Sequence, residues 1–211
     1  MIMKWIATGI FVIQLGLSFG QAIEGLEVGI DGFFGASSLG GSFGLGPKIG
    51  LELNENLVVG PTFRYNRFWS SQFGSTQVNK FTMFGAGAFI HGRYKNAVYG
   101  GLEFEMIQSR SLVDISNPDK IWVPTAFICA GFSREFNGIA RVNIGLYYDL
   151  FDNENSPFRN AYILTVKDQN GNIVDRKPLM YRLSFFFPIV DFTKNKKEEI
   201  EEEEDWTEPE E

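Results

Sequence analysis

Charged side chains recur at alternate positions of otherwise apolar runs. Glu27 and Asp31 do so in LEVGIDGFF, Lys48 and Glu52 in GPKIGLELN, Arg64 in TFRYN, Glu103 and Glu105 in LEFEM, Arg141 and Asp149 in RVNIGLYYD, and Arg182 in YRLSF. Both signs are present, so the first chemistry to weigh is mutual neutralisation. Charges that share a narrow interior must pair or find water, because an unpaired one costs several kcal/mol, roughly. Glu103 and Glu105 stand two residues apart on one face and could act as an acid/base pair or hold a cation, but Arg64 and Arg182 are nearer partners for them. Other chemistry is poorly supplied. There is one histidine, His91, and one cysteine, Cys129, too few for an intramolecular disulfide or a cysteine-ligated zinc. Ser109 and Ser111 have no histidine beside them to activate a hydroxyl, His91 falls toward the opposite end of its strand, and Cys129 reads as a small packing residue. No catalytic residue, metal or cofactor is expected. The expected site is a lumen charge network of Lys48, Glu52, Arg64, Glu103, Glu105, Arg141, Asp149 and Arg182 that closes the interior. A gated ion path or small-molecule site is the sharper alternative.

Such a network needs elements that send alternate residues to opposite sides. The face opposite the charges holds Val28 and Ile30, then Ile49 and Leu51, Phe63 and Tyr65, Leu102 and Phe104, Ile144 and Leu146, and finally Leu183, Phe185 and Phe187. This period of two predicts strands. Two more strands, over 80–92 and 121–134, are small or apolar on both faces, and parity does not orient them. Eight strands result, most of about ten residues or longer, enough to cross a bilayer when tilted. Short connections at 54–56, 94–96 and 136–138 alternate with longer ones expected at 36–42, 70–77, 110–120 and 152–177. Turns on one rim and loops on the other are the asymmetry of an outer-membrane barrel. The last loop contains Asn170-Gly171, a hairpin signal, and should project as a β-ribbon. Tyr65, Trp69, Tyr148, Phe151 and Tyr181 fall where an interfacial aromatic girdle would lie. A soluble lipocalin-like carrier would alternate too, with its apolar face turned inward.

The 211 residues suit one domain. The net charge of −7 sits mostly in 198–211, so the body is close to neutral and offers no basic patch for nucleic acid. Residues 1–22, MIMKWIATGIFVIQLGLSFGQA, read as a secretory signal peptide with cleavage expected after Ala22. Residues 23–192 would form the barrel. Residues 193–211 would form a disordered acidic tail, with Ile200 and Trp206 as candidate anchors for a periplasmic partner. Both chain ends then lie on the short-turn, periplasmic side.

The fold class expected is therefore all-β: an eight-stranded antiparallel up-and-down transmembrane β-barrel. The signal peptide, alternating strands, unequal connections and aromatic closing strand LMYRLSFFF together resemble the small outer-membrane β-barrel families, of which OmpA/OmpX-like barrels are members. GPKIGLELNENLVVGPTFRYNRFW resembles barrel domains of the Bacteroidota type. The resemblance covers 23–192 and implies outer-membrane lipid around the wall. It also implies a non-enzymatic structural or accessory role, with an envelope partner met through loops or tail; a small pore or ligand-binding barrel is the alternative. The acidic tail departs from OmpA-type proteins, which carry a peptidoglycan-binding domain there.

Overall fold

The computed structural model describes residues 23–37, 40–71, 78–110, 120–169 and 173–192. The signal-peptide region, the Asn170-Gly171 turn, Ser111 and the acidic tail lie outside these residues. Seven strands follow in order: β1 (Gly25–Ser37), β2 (Gly40–Asn54), β3 (Leu57–Ser71), β4 (Val78–Tyr94), β5 (Val98–Arg110), β6 (Lys120–Phe136) and β7 (Ala140–Asp149). A short 3-10 helix (Pro157–Ala161) precedes a small hairpin, β8 (Leu164–Lys167) and β9 (Ile173–Lys177), and β10 (Leu179–Asp191) ends the described chain. Each of β1 to β7 pairs antiparallel with the next, β7 pairs with β10, and β10 closes on β1. The result is a closed eight-stranded antiparallel barrel, with β8 and β9 as a separate two-stranded sheet.

Turn chemistry defines one rim. Lys95 and Asn96 have φ of 48° and 53°, and Asn137 and Gly138 have 51° and 68°. Paired left-handed residues match the twist of tight hairpins. Asn96 ties the two turns together, its side-chain oxygen accepting from the Glu135 backbone N–H at 2.7 Å. Both described chain ends reach the same rim, where the Phe192 N–H donates to the Glu24 carbonyl at 2.8 Å. The register of β1 on β10 shifts between Leu26 and Glu27, opposite Pro188, whose missing N–H a bulge accommodates.

The partition of side chains is the inverse of a water-soluble barrel. Val28, Ile49, Phe63, Leu102, Ile128, Ile144 and Phe185 point outward and are exposed, while Asp31, Lys48, Arg64, Glu103, Glu105 and Arg182 are buried inside. This belt spans every barrel strand and marks a transmembrane wall. The two strands that parity left open are also oriented. Met83, Phe89, His91 and Arg93 of β4 and Val123, Thr125, Phe127 and Cys129 of β6 face inward.

One connection departs from expectation. Residues 36–42 do not form a long loop: β1 runs to Ser37 and β2 starts at Gly40, leaving two residues between them. The glycines of GASSLGG suggest a loop, but Gly40, Gly41 and Gly44 pair with β3 across to Ser70, Trp69 and Asn66. The two arms of the expected ribbon, Leu164–Lys167 and Ile173–Lys177, pair antiparallel.

A wall facing lipid predicts a depth-dependent penalty for charge. Leu102→Arg or Ile144→Arg should cost about 2–4 kcal/mol of folding free energy in phospholipid vesicles, and Trp122→Arg, near the long-loop rim, about 1 or less. Urea titrations giving equal costs at Leu102 and Trp122 would contradict this wall.

Candidate functional site

Six charges from five strands meet at mid-lumen: Asp31 (β1), Lys48 (β2), Arg64 (β3), Glu103 and Glu105 (β5) and Arg182 (β10). Three are cationic and three anionic, so the cluster is neutral as a whole. Arg64 grips two carboxylates. Its Nη1 bonds Asp31 Oδ1, its Nη2 donates to Asp31 Oδ2 at 3.1 Å, and its Nε donates to Glu105 Oε2 at 3.1 Å. Lys48 bonds Glu103 Oε1 and lies 3.1 Å from Asp31 Oδ2. Arg182 Nη1 donates to Glu103 Oε2 at 2.9 Å and to Glu105 Oε1 at 3.2 Å. Glycine makes the room: a Cβ on Gly46 would fall 2.2 Å from Asp31 Oδ1 and 2.5 Å from Arg64 Nη1.

Aromatic residues surround this cluster. The Arg182 guanidinium carbon lies 4.4 Å from the Phe127 ring centre, 4.6 Å from that of Tyr147 and 5.0 Å from that of Phe158. Ring faces stabilise a cation where water is excluded. His91 Nε2 lies 2.9 Å from Glu103 Oε1. His91, Glu103 and Cys129 bring potential ligand atoms within 4.8 Å of one another. A metal ion there would compete with Lys48 and Arg182 for the same carboxylate, so the donor set does not favour one.

Phe158 belongs to no barrel strand. The long connection after β7 folds back into the mouth and lays its 3-10 helix against β1 and β2. Phe158 packs on Phe33 at 5.4 Å and Phe127 at 5.0 Å between ring centres, and it is fully buried with Ala161, Tyr162 and Met180. Asp149 anchors this plug. Its side chain accepts from the Phe151 N–H at 3.1 Å, the Tyr162 hydroxyl at 2.9 Å and the Ser156 hydroxyl at 3.4 Å. Burial and the Asp149 carboxylate hold the Tyr162 phenol well above its ordinary pKa, so Tyr162 stays a donor.

The short-turn end is open. Arg93 bonds Glu27 through both terminal nitrogens and reaches Glu52 at 3.5 Å, and Arg141 pairs with Glu135. These residues line a polar vestibule of about 660 Å³ with Glu55, Lys95 and Asn96.

The eight residues expected to form one lumen network therefore separate. Lys48, Arg64, Glu103, Glu105 and Arg182 meet at the centre, while Glu52 and Arg141 belong to the vestibule. Asp149 has no ion-pair partner among the described residues: it sits at the long-loop mouth and accepts hydrogen bonds from the plug. Sequence reasoning passed over Arg93, which lies on an unoriented strand beside a turn, and His91 sits deeper than the rim, bonded to Glu103. It also passed over Phe158, although Ser156-Pro157-Phe158, with Ala161 and Tyr162 three and four residues on, carries a cap, a helix-starting proline and an apolar stripe. Ile200 and Trp206 lie outside the described residues.

No family model matches the chain, and no curated protein matches it. Among solved structures, it is similar to the Yersinia pestis outer membrane protein Ail in a phospholipid bilayer nanodisc, at 13% identity and a TM-score of 0.45, over 79% of this chain and 100% of that one.

Two substitutions separate cluster from plug. Glu103→Ala leaves Lys48 and Arg182 short of a carboxylate and should destabilise the barrel by about 3–5 kcal/mol in chemical denaturation; a loss below about 1 would mean the cluster is hydrated. Phe158→Ala should release the plug, at about 3 kcal/mol, and leave the barrel folded. Trypsin cleavage after Arg159 would then rise on the order of 100-fold, with an unchanged mobility shift on heating. Unchanged cleavage would mean Phe158 does not hold the segment.

Proposed function

We propose that this chain is an exported outer-membrane β-barrel of the OmpA/OmpX-like and Bacteroidota-type kind, serving as a non-enzymatic structural or accessory subunit of an envelope complex. In this reading residues 1–22 are removed, the short-turn rim and both termini are periplasmic, and the loops face outward. The observation that carries it is the lumen. A neutral ion cluster fills its middle, an aromatic plug fills its long-loop mouth, and its outer wall is apolar. A barrel so filled has little room for transport, which leaves its loops and tail to make contacts.

The buried placement of His91 supports the non-enzymatic reading. It bonds Glu103 inside the lumen, while Ser109 stands at the other end of its strand with its hydroxyl 3.1 Å from the Met83 sulfur. Partners would be membrane lipid along the wall and an envelope protein at the loops or the acidic tail, with Ile200 and Trp206 as the tail's apolar anchors. The vestibule favours a second reading, a barrel that takes a small polar ligand from the periplasmic side.

Planar-bilayer recording tests the first reading. The full barrel should give no steady single-channel steps, and Phe158→Ala should stay silent because the ion cluster remains beneath the plug. Regular steps in the unmodified protein would replace the accessory reading with a pore. Deleting 198–211 should remove periplasmic proteins captured with the barrel, and an unchanged set would take the tail out of the proposal.

A further inference from the structure

The outward face of β3 to β6 carries charge of one sign. Among the described residues it presents Arg67, Lys80, Lys120 and Arg134 and no carboxylate, in a chain whose net charge is −7. Arg67, Lys80 and Lys120 are exposed and lie toward the long-loop rim, and Arg134 lies toward the other. The register sets them side by side: Arg67 is opposite Thr82, Lys80 opposite Trp69, and Trp122 opposite Gln108.

The wall also parts there. β4 and β5 are paired from Tyr94–Val98 as far as Phe84–Gln108, yet β4 begins at Val78 and β5 runs on to Arg110. Beyond Phe84 and Gln108 the strands leave a groove of about 250 Å³ lined by Lys80, Phe81, Thr82, Gln108, Ser109 and Lys120. Lys80 and Lys120 supply the charge, and Thr82, Gln108 and Ser109 supply neutral hydrogen-bonding side chains beside Phe81. Trp122, 59% exposed, lies beside it at the level of an aromatic girdle. Cations on a lipid-facing wall are costly except at headgroup depth, where long side chains reach anions.

We propose that this groove binds a phosphate group of an outer-leaflet lipid headgroup. Lys80 and Lys120 flank the phosphate, Arg67 approaches it from β3, and Thr82 and Gln108 offer hydrogen bonds. Charge complementarity selects this occupant: among the described residues the charged side chains lining the groove are Lys80 and Lys120, and the belt below it admits acyl chains. The inference rests on the outer-membrane reading, which puts the long-loop rim at the outer leaflet.

The test is native mass spectrometry of the full chain with diphosphorylated lipid A and with the same lipid after removal of its phosphates. The unmodified barrel should bind the phosphorylated lipid on the order of 100-fold more tightly than an Arg67→Gln/Lys80→Gln/Lys120→Gln variant, at about one factor of five per charge. Arg134→Gln should bind like the unmodified barrel, and the dephosphorylated lipid should not distinguish the variants. Equal binding by the triple variant, or no preference for phosphate, overturns the site. Full competition by inorganic phosphate at equal concentration would make it a free-anion site and overturn the lipid assignment. If the triple variant lacks the folded mobility shift, Lys120→Gln alone, with an expected loss of about fivefold, decides the question. Bilayer incorporation is scored in the same preparations: a chain that never inserts sinks the membrane reading, whereas one that inserts but ignores phosphate sinks this site alone.

Discussion

Six charges that cannot reach bulk water govern the interior of this barrel. Asp31, Glu103 and Glu105 are neutralised by Lys48, Arg64 and Arg182, because side chains buried this completely need a partner of opposite charge within reach. Each cation touches more than one carboxylate, so the pairs cross-link β1, β2, β3, β5 and β10 across the lumen. Replacing the whole set by apolar residues of equal volume could preserve stability; removing one member could not. What the set supplies is a fixed cross-section, because the pairings form only in one register of the strands. Gly46 follows from the same requirement. A side chain there would occupy the space that Asp31 and Arg64 need.

The two ends of the lumen treat water differently. Toward the long-loop mouth, Arg182 Nε and Nη2 have no hydrogen-bond partner among the described residues, and three aromatic rings lie within about 5 Å of its guanidinium carbon. Ring faces stabilise the charge on that side of the cation. Phe158 completes the enclosure, and Asp149 holds the segment that delivers it. Toward the short-turn rim, Arg93, Glu27 and Glu52 pair beside an open vestibule, where water can finish what the pairs leave incomplete.

The fold was legible in the sequence because the period of two is physical: one face had to meet lipid and the other the lumen. Val28 against Asp31, Leu102 against Glu103 and Leu183 against Arg182 each declare a side. The pattern failed where both faces are small or apolar, as around Gly85, Ala86 and Gly87 of β4, and with it went the placement of His91 and Arg93. Parity also says which side a residue faces but not its depth. Glu52, Arg141 and Asp149 share the inward face with Arg64 and stand at different levels, so one predicted network became a cluster, a vestibule pair and a loop anchor. The two-residue connection after β1 was hidden because glycines that let strands approach look like loop glycines. The plug was hidden because a loop that refolds into its own barrel depends on contacts distant in sequence, Phe158 with Phe33 and Phe127.

Charge in this chain obeys three local rules, set by what surrounds it. At mid-lumen, where the dielectric is low, three positive and three negative groups are matched. On the wall of β3 to β6 one sign is tolerated, but only at the rims, where headgroups can supply the opposite charge. At the C-terminus the sequence places ten acidic residues between Glu198 and Glu211, more than the whole net charge of −7, and water and salt alone can screen such a run. Residues 23–192 carry 15 basic and 16 acidic side chains, so the barrel itself is close to neutral. The positive side chains on the lipid-facing wall of β3 to β6 lie where a negative membrane surface would attract them, and the acidic run is separated from that surface by the length of the barrel if both termini are periplasmic. An acidic run at the opposite end would compete with lipid phosphate for Lys80 and Lys120, so the same electrostatics that favours a phosphate groove at one rim favours an acidic tail at the other.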